Sequence, residues 1–380
     1  MPSNPTSEKT APRPRRTPQP RAESLTYAAS GVDIDAGDAA AERILGHLRR
    51  THGPRVIANP GGFAGLLRLD YNEKLFKRNY RDPVLVACTD GVGTKVKLAA
   101  QLGVHDTIGQ DCVAMNVNDM VVQGAEPLLF LDYIGIHKVT PELIEQIVRG
   151  VADGCELAGC ALLGGETAEM PDVYAPGDYD LAGFAVGVVE LKRAINPLRV
   201  EPGDVVLGLA SSGVHSNGYS LVRRIVDHAS LKLDKVYPEL EDQRPLGEVL
   251  LTPTRIYAAQ IARLLRSYKV KQVVSGMAHI TGGGLAGNLE RSLNDKVDAI
   301  IDPGAWEVPP VFRFLQKAGA VADQEMERVF NMGVGYCLIV RPAFADSIAA
   351  QLEKMGERVW QIGRVKAGAG RVTYKPARAR

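Results

Sequence analysis

Thr89-Asp90-Gly91-Val92-Gly93-Thr94-Lys95 follows the apolar run Pro83-Val84-Leu85-Val86-Ala87-Cys88, which reads as a buried strand. After that strand come an acid, two glycines around a single residue, a hydroxyl and a lysine. Glycines let a ligand approach the backbone, consecutive amides form an anion nest, lysine adds a point charge and aspartate can hold a hard cation. These are the parts for a magnesium–polyphosphate. The spacing excludes a P-loop, because Thr94 and not glycine precedes Lys95, and a dinucleotide fingerprint, because Val96 stands where its third glycine belongs. A strand followed by Gly-x-Gly is also an ordinary tight turn, so the reading depends on its company.

Asp106 to about Gln123 has helical periodicity, with Val113, Val117, Met120 and Val121 on one face. Asp111 and Asn118 fall on nearly one line of the other side, Asp119 lies within about a quadrant of it, and Cys112, Met115 and Val122 share that side. Acids set in an apolar helix need partners, either a lysine or arginine or, as favoured here, magnesium. Further on, the strands Leu128–Ile134 and Ala161–Leu163 are predicted, the second meeting Gly164-Gly165-Glu166-Thr167 as another strand–glycine–acid corner. Leu181–Glu190 reads as a strand. Residues 196–204 then look like an interdomain connection, dividing the chain into 25–195 and 196–376.

The α/β pattern restarts in the second half. Strand Val205–Ala210 leads to Ser211-Ser212-Gly213-Val214-His215-Ser216-Asn217-Gly218, and strand Val270–Val274 to Gly276-Met277-Ala278-His279-Ile280-Thr281-Gly282-Gly283-Gly284. Each corner places small residues, hydroxyls and one histidine before a helix, an arrangement suited to a phosphate.

Net charge is +1, so global charge argues for neither nucleic acid nor an anionic membrane surface, and no apolar run reaches the ~18 residues of a membrane helix. Cys88, Cys112, Cys155, Cys160 and Cys337 are odd in number and lie among apolar or small neighbours, as core residues of a reducing cytoplasm do. Residues 1–24 hold six prolines and five Lys/Arg without a leucine or aromatic residue, a composition that cannot order itself; a basic arm touching RNA or a partner is the alternative. Asp33, Asp35 and Asp38 are either capping acids of a helix over 39–50 or an acidic lid. The glycine-rich loop 59–66 has no evident role.

Six stretches together resemble the phosphoribosylformylglycinamidine cyclo-ligase (aminoimidazole ribonucleotide synthetase) family: residues 31–37, 89–95, 118–127, 164–171, 211–220 and 279–284. The resemblance covers about residues 25–375. It implies an α/β (α+β) fold of two domains, a homodimer whose N-terminal domains build a shared β-barrel, and ATP near that interface. It also implies closure of the imidazole ring of formylglycinamidine ribonucleotide with ATP. Under this resemblance Asp90, Asp111, Asp119 and Glu166 hold Mg2+. Gly91, Gly93, Thr94, Lys95, Asn118, Gly164 and Gly165 complete the ATP site. His215 or His279 assists proton transfer, with Lys95 beside the reacting phosphate, and Ser212, Ser216, Asn217, Thr281, Gly282 and Gly283 hold the ribose phosphate. Phosphoryl transfer asks for positioning and charge neutralisation and needs no nucleophilic triad, which suits this chain.

Overall fold

The computed structural model describes residues 33–58, 64–70, 79–268 and 270–376. The tail at 1–24, Gly31 and Val32, residues 59–63 of the glycine-rich loop and residues 377–380 lie outside them. Helix α1 (Ile34–Arg50) starts where the Asp33 carboxylate accepts the Ala36 N–H at 3.0 Å, so Asp33 is a cap; Asp35 sits in the first turn, where the helix dipole favours an acid. A two-stranded ribbon of β1 (Val56–Ile57) and β2 (Leu66–Leu67) leads to the N-terminal domain proper.

There β3 (Pro83–Gly91) runs into α2 (Lys95–Leu102) and α3 (Asp106–Val122), followed by β4 (Glu126–Ile136), α4 (Pro141–Ala158), β5 (Ala161–Glu169) and β6 (Tyr179–Glu190). The sheet is open, in the order β3-β6-β4-β5, with only the β4–β5 pair parallel. Helix α3 packs between this sheet and α4, and between Ile108 and Val121 only Gln110 and Asp119 escape full burial. The helix is thus buried on both of the faces read from its periodicity. The opposite face of the sheet is bare and apolar: Leu85 is 62% exposed, Phe184 42% and Tyr133 41%.

The C-terminal domain contains β7 (Val205–Ala210), α5 (Tyr219–His228), α6 (Leu246–Leu250), α7 (Ala258–Ser267), β8 (Val274–His279) and α8 (Gly284–Glu290). It continues with β9 (Val297–Ile301), α9 (Pro310–Gly319), α10 (Asp323–Val329), β10 (Val334–Val340), α11 (Ala345–Lys354), β11 (Val359–Ala367) and β12 (Val372–Tyr374). Its sheet has the order β12-β9-β11-β7-β10-β8, antiparallel except at β12–β9. Strand alternation divides the core. Val205, Leu207 and Leu209 join an apolar cluster continuous with the N-terminal domain, while Val206 packs with Leu285, Leu289 and Ile339 behind the sheet.

Two elements differ from expectation. The strand expected at 270–274 lies at Val274–His279, because Ser275, Gly276 and Ala278 are small enough to pair closely with β10, whereas Val270 is 94% exposed. His279 therefore ends a strand, while His215 sits in a turn at φ +68°, so the two histidine corners are not equivalent. The second departure is at Gly164-Gly165-Glu166, which forms no corner. These residues continue β5, opposite Leu131, Asp132 and Tyr133 of β4. A Cβ at Gly165 would fall 2.4 Å from Asp132 Oδ1, so this glycine makes room for a carboxyl on the next strand.

That carboxyl is buried, and burial pushes the pKa of Asp132 from 3.8 up to about 7 against a smaller opposing effect of its own N–H. The folded state holds the proton that the unfolded chain releases near pH 4, so this residue makes stability fall as pH rises from about 4 to about 7 and leaves it level above. A rise of that size corresponds to about 4 kcal/mol. In thermal melts, Asp132→Asn is expected to gain on the parent protein between pH 5 and pH 8; a difference in Tm independent of pH would contradict the assignment.

Candidate functional site

The loop after β3 enters the seam between the domains. Val92 is buried, its N–H bonded to Leu181 O and its carbonyl accepting the Ser216 hydroxyl at 2.9 Å. Gly93 turns the chain at φ +73°, leaving Gly93 and Thr94 exposed at the start of α2, where the first amides of a helix have no intrahelical acceptor. Thr94 Oγ1 lies 3.1 Å from Ser220 Oγ of the other domain.

Lys95, the next residue, turns inward and is fully buried. Its ammonium donates to His215 O at 2.9 Å and Thr252 O at 2.8 Å and sits 2.7 Å from Asp111 Oδ2. Asp111 is equally buried, its Oδ1 accepting the Thr254 N–H at 2.7 Å and hydroxyl at 2.6 Å. Burial lowers the pKa of Lys95 and raises that of Asp111, while the opposite charge of each works against its partner's shift. About two turns further along α3, Asn118 donates to Arg255 O at 2.8 Å and accepts from Tyr257 N at 2.9 Å. These ties bear on three expectations. Asp111 has the basic partner that its helix position also allowed, Lys95 faces carbonyls and a carboxylate, and Asn118 stitches the domains together.

The outer layer is different. Asp90, next to last in β3, is half-buried, and its Oδ1 accepts the Gly91 N–H at 2.8 Å, which occupies that amide. Burial raises its pKa, the Gly91 N–H lowers it, the Asp119 charge raises it and His279 lowers it. Asp119 is exposed, and its Oδ1 lies 2.9 Å from Nδ1 of the buried His279. Two carboxyl groups, Asp119 raising the cost of ionising Asp90, next to the exposed start of α2, suit a cation shared with a phosphate. Glu166 is not part of this group. It pairs with Tyr133, one residue out of step with the row Asp90–Gly183–Asp132–Gly165, so it stands on the opposite, open face of the sheet. Among the described residues, no three His, Cys, Asp or Glu side chains gather as a metal cluster by themselves.

His215 is buried, and burial, then the charges of His279, Lys95 and Arg255, push its pKa well below 6.5. The neutral ring accepts the Ser212 N–H at Nε2, 3.1 Å away, so its proton is on Nδ1, which has no partner. Ser212 donates its hydroxyl to Pro253 O and Ser216 to Val92 O, so neither hydroxyl hydrogen is directed at a ligand. Asn217, Thr281, Gly282 and Gly283 do come together: the Asn217 amide lies 3.8 Å from where a Cβ on Gly282 would be. Asn288 Nδ2 holds the carbonyls of Thr281, Gly282 and Gly284 inward, and Asn331 does the same for Gly213 and Val214. The sequence reading missed Thr254, Asn288 and Asn331. Each is a polar residue whose partners are distant carbonyls or a distant carboxylate, and no local spacing marks it.

Residues 77–189 match the family model "AIR synthase related protein, N-terminal domain" and residues 201–375 its C-terminal counterpart. The phosphoribosylformylglycinamidine cyclo-ligase of Cupriavidus metallidurans is 53% identical over 91% of this chain and 94% of its own. That of Burkholderia mallei is 51% identical over 92% and 95%. Among solved structures, thiamine-monophosphate kinase from Stenotrophomonas maltophilia aligns with a TM-score of 0.64 at 19% identity, over 89% of this chain and 96% of that one. Hydrogenase maturation protein HypE in complex with ATP aligns at 0.58 and 18%, over 89% and 91%. These two share the fold.

The inner ion pair carries a direct test. Removing one partner leaves a buried charge, which costs about 3–5 kcal/mol, whereas an apolar pair of similar volume avoids that penalty. Urea unfolding of Lys95→Met and Asp111→Asn is expected to show losses of that order, with Lys95→Met/Asp111→Leu losing less than either. Two small, additive losses would show that the contact contributes little.

Proposed function

This chain belongs to the phosphoribosylformylglycinamidine cyclo-ligase family and is an enzyme of the ligase class in purine biosynthesis, and from that premise we propose how its own residues carry the ring closure. The γ-phosphoryl group of ATP passes to the formyl oxygen of formylglycinamidine ribonucleotide, giving ADP and an iminophosphate. The amidine nitrogen then attacks that carbon; the C–N bond forms, the C–O bond breaks, phosphate leaves and a proton is lost as aminoimidazole ribonucleotide appears. The observation that carries the reading is the placement of Asp90 and Asp119 beside the exposed start of α2.

Asp90 and Asp119 fit Mg2+, which takes one or two carboxylates together with substrate phosphates and, when bound, neutralises phosphate charge. The Gly93 and Thr94 amides bind the nucleotide phosphates at the helix start. His279 donates Nδ1–H to Asp119, which fixes the carboxylate and leaves Nε2 as the basic nitrogen. We assign proton transfer at the amidine to this ring, because Nε2 of His215 accepts the Ser212 N–H at 3.1 Å, whereas Nε2 of His279 has only a long contact, 3.5 Å, with the Asn118 amide. Asn217 and the 281–283 loop receive the ribose phosphate. A cytoplasmic location belongs to this reading and is supported by five free cysteines, four of them buried.

ADP release with formylglycinamidine ribonucleotide tests the activity. Asp90→Asn and Asp119→Asn keep the shape and one acceptor oxygen but remove the charge, and each is expected to cost roughly a hundredfold in turnover, or about 3 kcal/mol. The melting temperature without ligand should barely change. Near-normal turnover in both variants would end the metal assignment, and a collapse of that melting temperature would make the acids structural.

A homodimer is the second part of the proposal. Leu85, Phe184 and Tyr133 leave an apolar sheet face open to water, and a second copy laid on it would form the shared barrel of the family. Sedimentation at assay concentration is expected to give a dimer, and Leu85→Lys/Phe184→Lys a monomer; an active parental monomer would sink this part.

A further inference from the structure

A cavity lies in the domain seam away from the site above, with a volume of about 530 Å³, within the ~300–1,000 Å³ of small-molecule sites. It opens between the end of β6 and the starts of β4 and β8, with α7 along one side. Arg55, Arg193, Arg199, Arg266 and Lys271 line it, against two carboxylates, Glu126 and Glu190. Both carboxylates are engaged. Glu126 accepts from Tyr80 and meets Arg55 at 3.4 Å and Arg266 at 2.9 Å, while Glu190 takes the Arg81 and Asp82 amides at 3.0 and 2.9 Å. Arg199 is steadied by Gln272 O, 3.1 Å away, a bond that orients the guanidinium and leaves its charge in place. Converging cations in a walled cavity focus a positive potential that an anion relieves.

The remaining lining sets the rest of the ligand. Tyr80 and Tyr268 present aromatic surface, and Ile195, Leu265 and Val273 give apolar wall. Phosphate alone would fill a small part of this volume and touch none of that surface. We propose that this cavity binds a nucleoside monophosphate, its phosphate on Arg199 and Lys271 and its base against the apolar wall. The site is separate from the one assigned to ATP. Val274 lines the cavity at one end of β8 and His279 ends that strand five residues on, about 17 Å away at 3.3 Å per residue. Gly124, just past α3, also lines the cavity, so an occupant would bear on the helix that carries Asp111, Asn118 and Asp119.

The test is calorimetric titration of the full chain with adenosine 5′-monophosphate after saturation with Mg-ADP, and again without ADP on Asp119→Asn. One binding event per chain is expected in both, weakening as salt rises, with inorganic phosphate at least tenfold weaker. Arg199→Ala/Lys271→Ala should lose at least tenfold in affinity at an unchanged melting temperature. Arg266→Gln, at a side chain 63% exposed, is the second variant should the first not fold. No event beyond ADP, equal affinity in the folded cavity variant, loss with Asp119→Asn, or phosphate binding as tightly would each overturn the proposal. Failure of ADP itself to bind would count against the ATP site and leave the titration on Asp119→Asn to decide this one.

Discussion

Lys95 and Asp111 are fully buried, and two charges removed from water are tolerated only when every remaining polar direction is answered. Both residues belong to the N-terminal domain, yet most of the groups that answer them do not. His215 O and Thr252 O accept from Lys95, and the Thr254 amide and hydroxyl donate to Asp111. Neither domain alone completes this set. The pair therefore works as a fastener whose strength depends on the two domains being docked, and the continuous apolar cluster around it keeps the water out. A low local dielectric strengthens each of these bonds and makes the loss of any one more damaging.

The outward-facing chemistry follows from that fastening. With Lys95 drawn inward, Gly93 must turn the chain, and the turn leaves the start of α2 exposed beside Asp90. With Asn118 bonded to Arg255 O and Tyr257 N, the next residue along α3, Asp119, is rotated about 100° toward the surface and meets His279 from the other domain. Inner residues hold the domains together and outer residues face the solvent at the seam, although the two kinds alternate within the same short motifs.

This alternation explains what could be read from the sequence. The β3 strand and helix α3 carry periodicity, which is local and therefore visible. The glycine turn after Asp90 and the glycine loop 281–283 before α8 carry turn chemistry of the same local kind. Which way each polar residue of a motif points is not local. Lys95 and Thr94 are neighbours in one motif, but one is buried against Asp111 and the other is exposed. Ser216 stands in a phosphate-type loop, yet its hydroxyl donates to Val92 O, 2.9 Å away in the other domain. The glycine pair at 164–165 imitated a strand end because the carboxyl it accommodates, Asp132, lies on another strand. The small residues Ser275, Gly276 and Ala278 likewise concealed a buried strand, since their β pairing depends on β10, far along the chain.

Strand alternation also lets one sheet do two jobs. Asp90 and Leu85 are five residues apart on β3, so they project to opposite faces, the acid toward α3 and the leucine toward open solvent. A slip of one residue in the β3–β6 register would exchange these faces and put the leucine in the site and the acid on the apolar surface. The register is held from the neighbouring strand and not from β3 itself. At Gly183 a Cβ would meet Phe130 at 2.2 Å, and at Gly187 it would meet Met120 at 2.3 Å, so each strand position is keyed to a particular side chain of the core. Because Gly183 stands opposite Asp90, the packing of Phe130 fixes where the candidate magnesium ligand ends its strand. The apolar face and the charged site are thus set by one set of core contacts, and neither can move without the other.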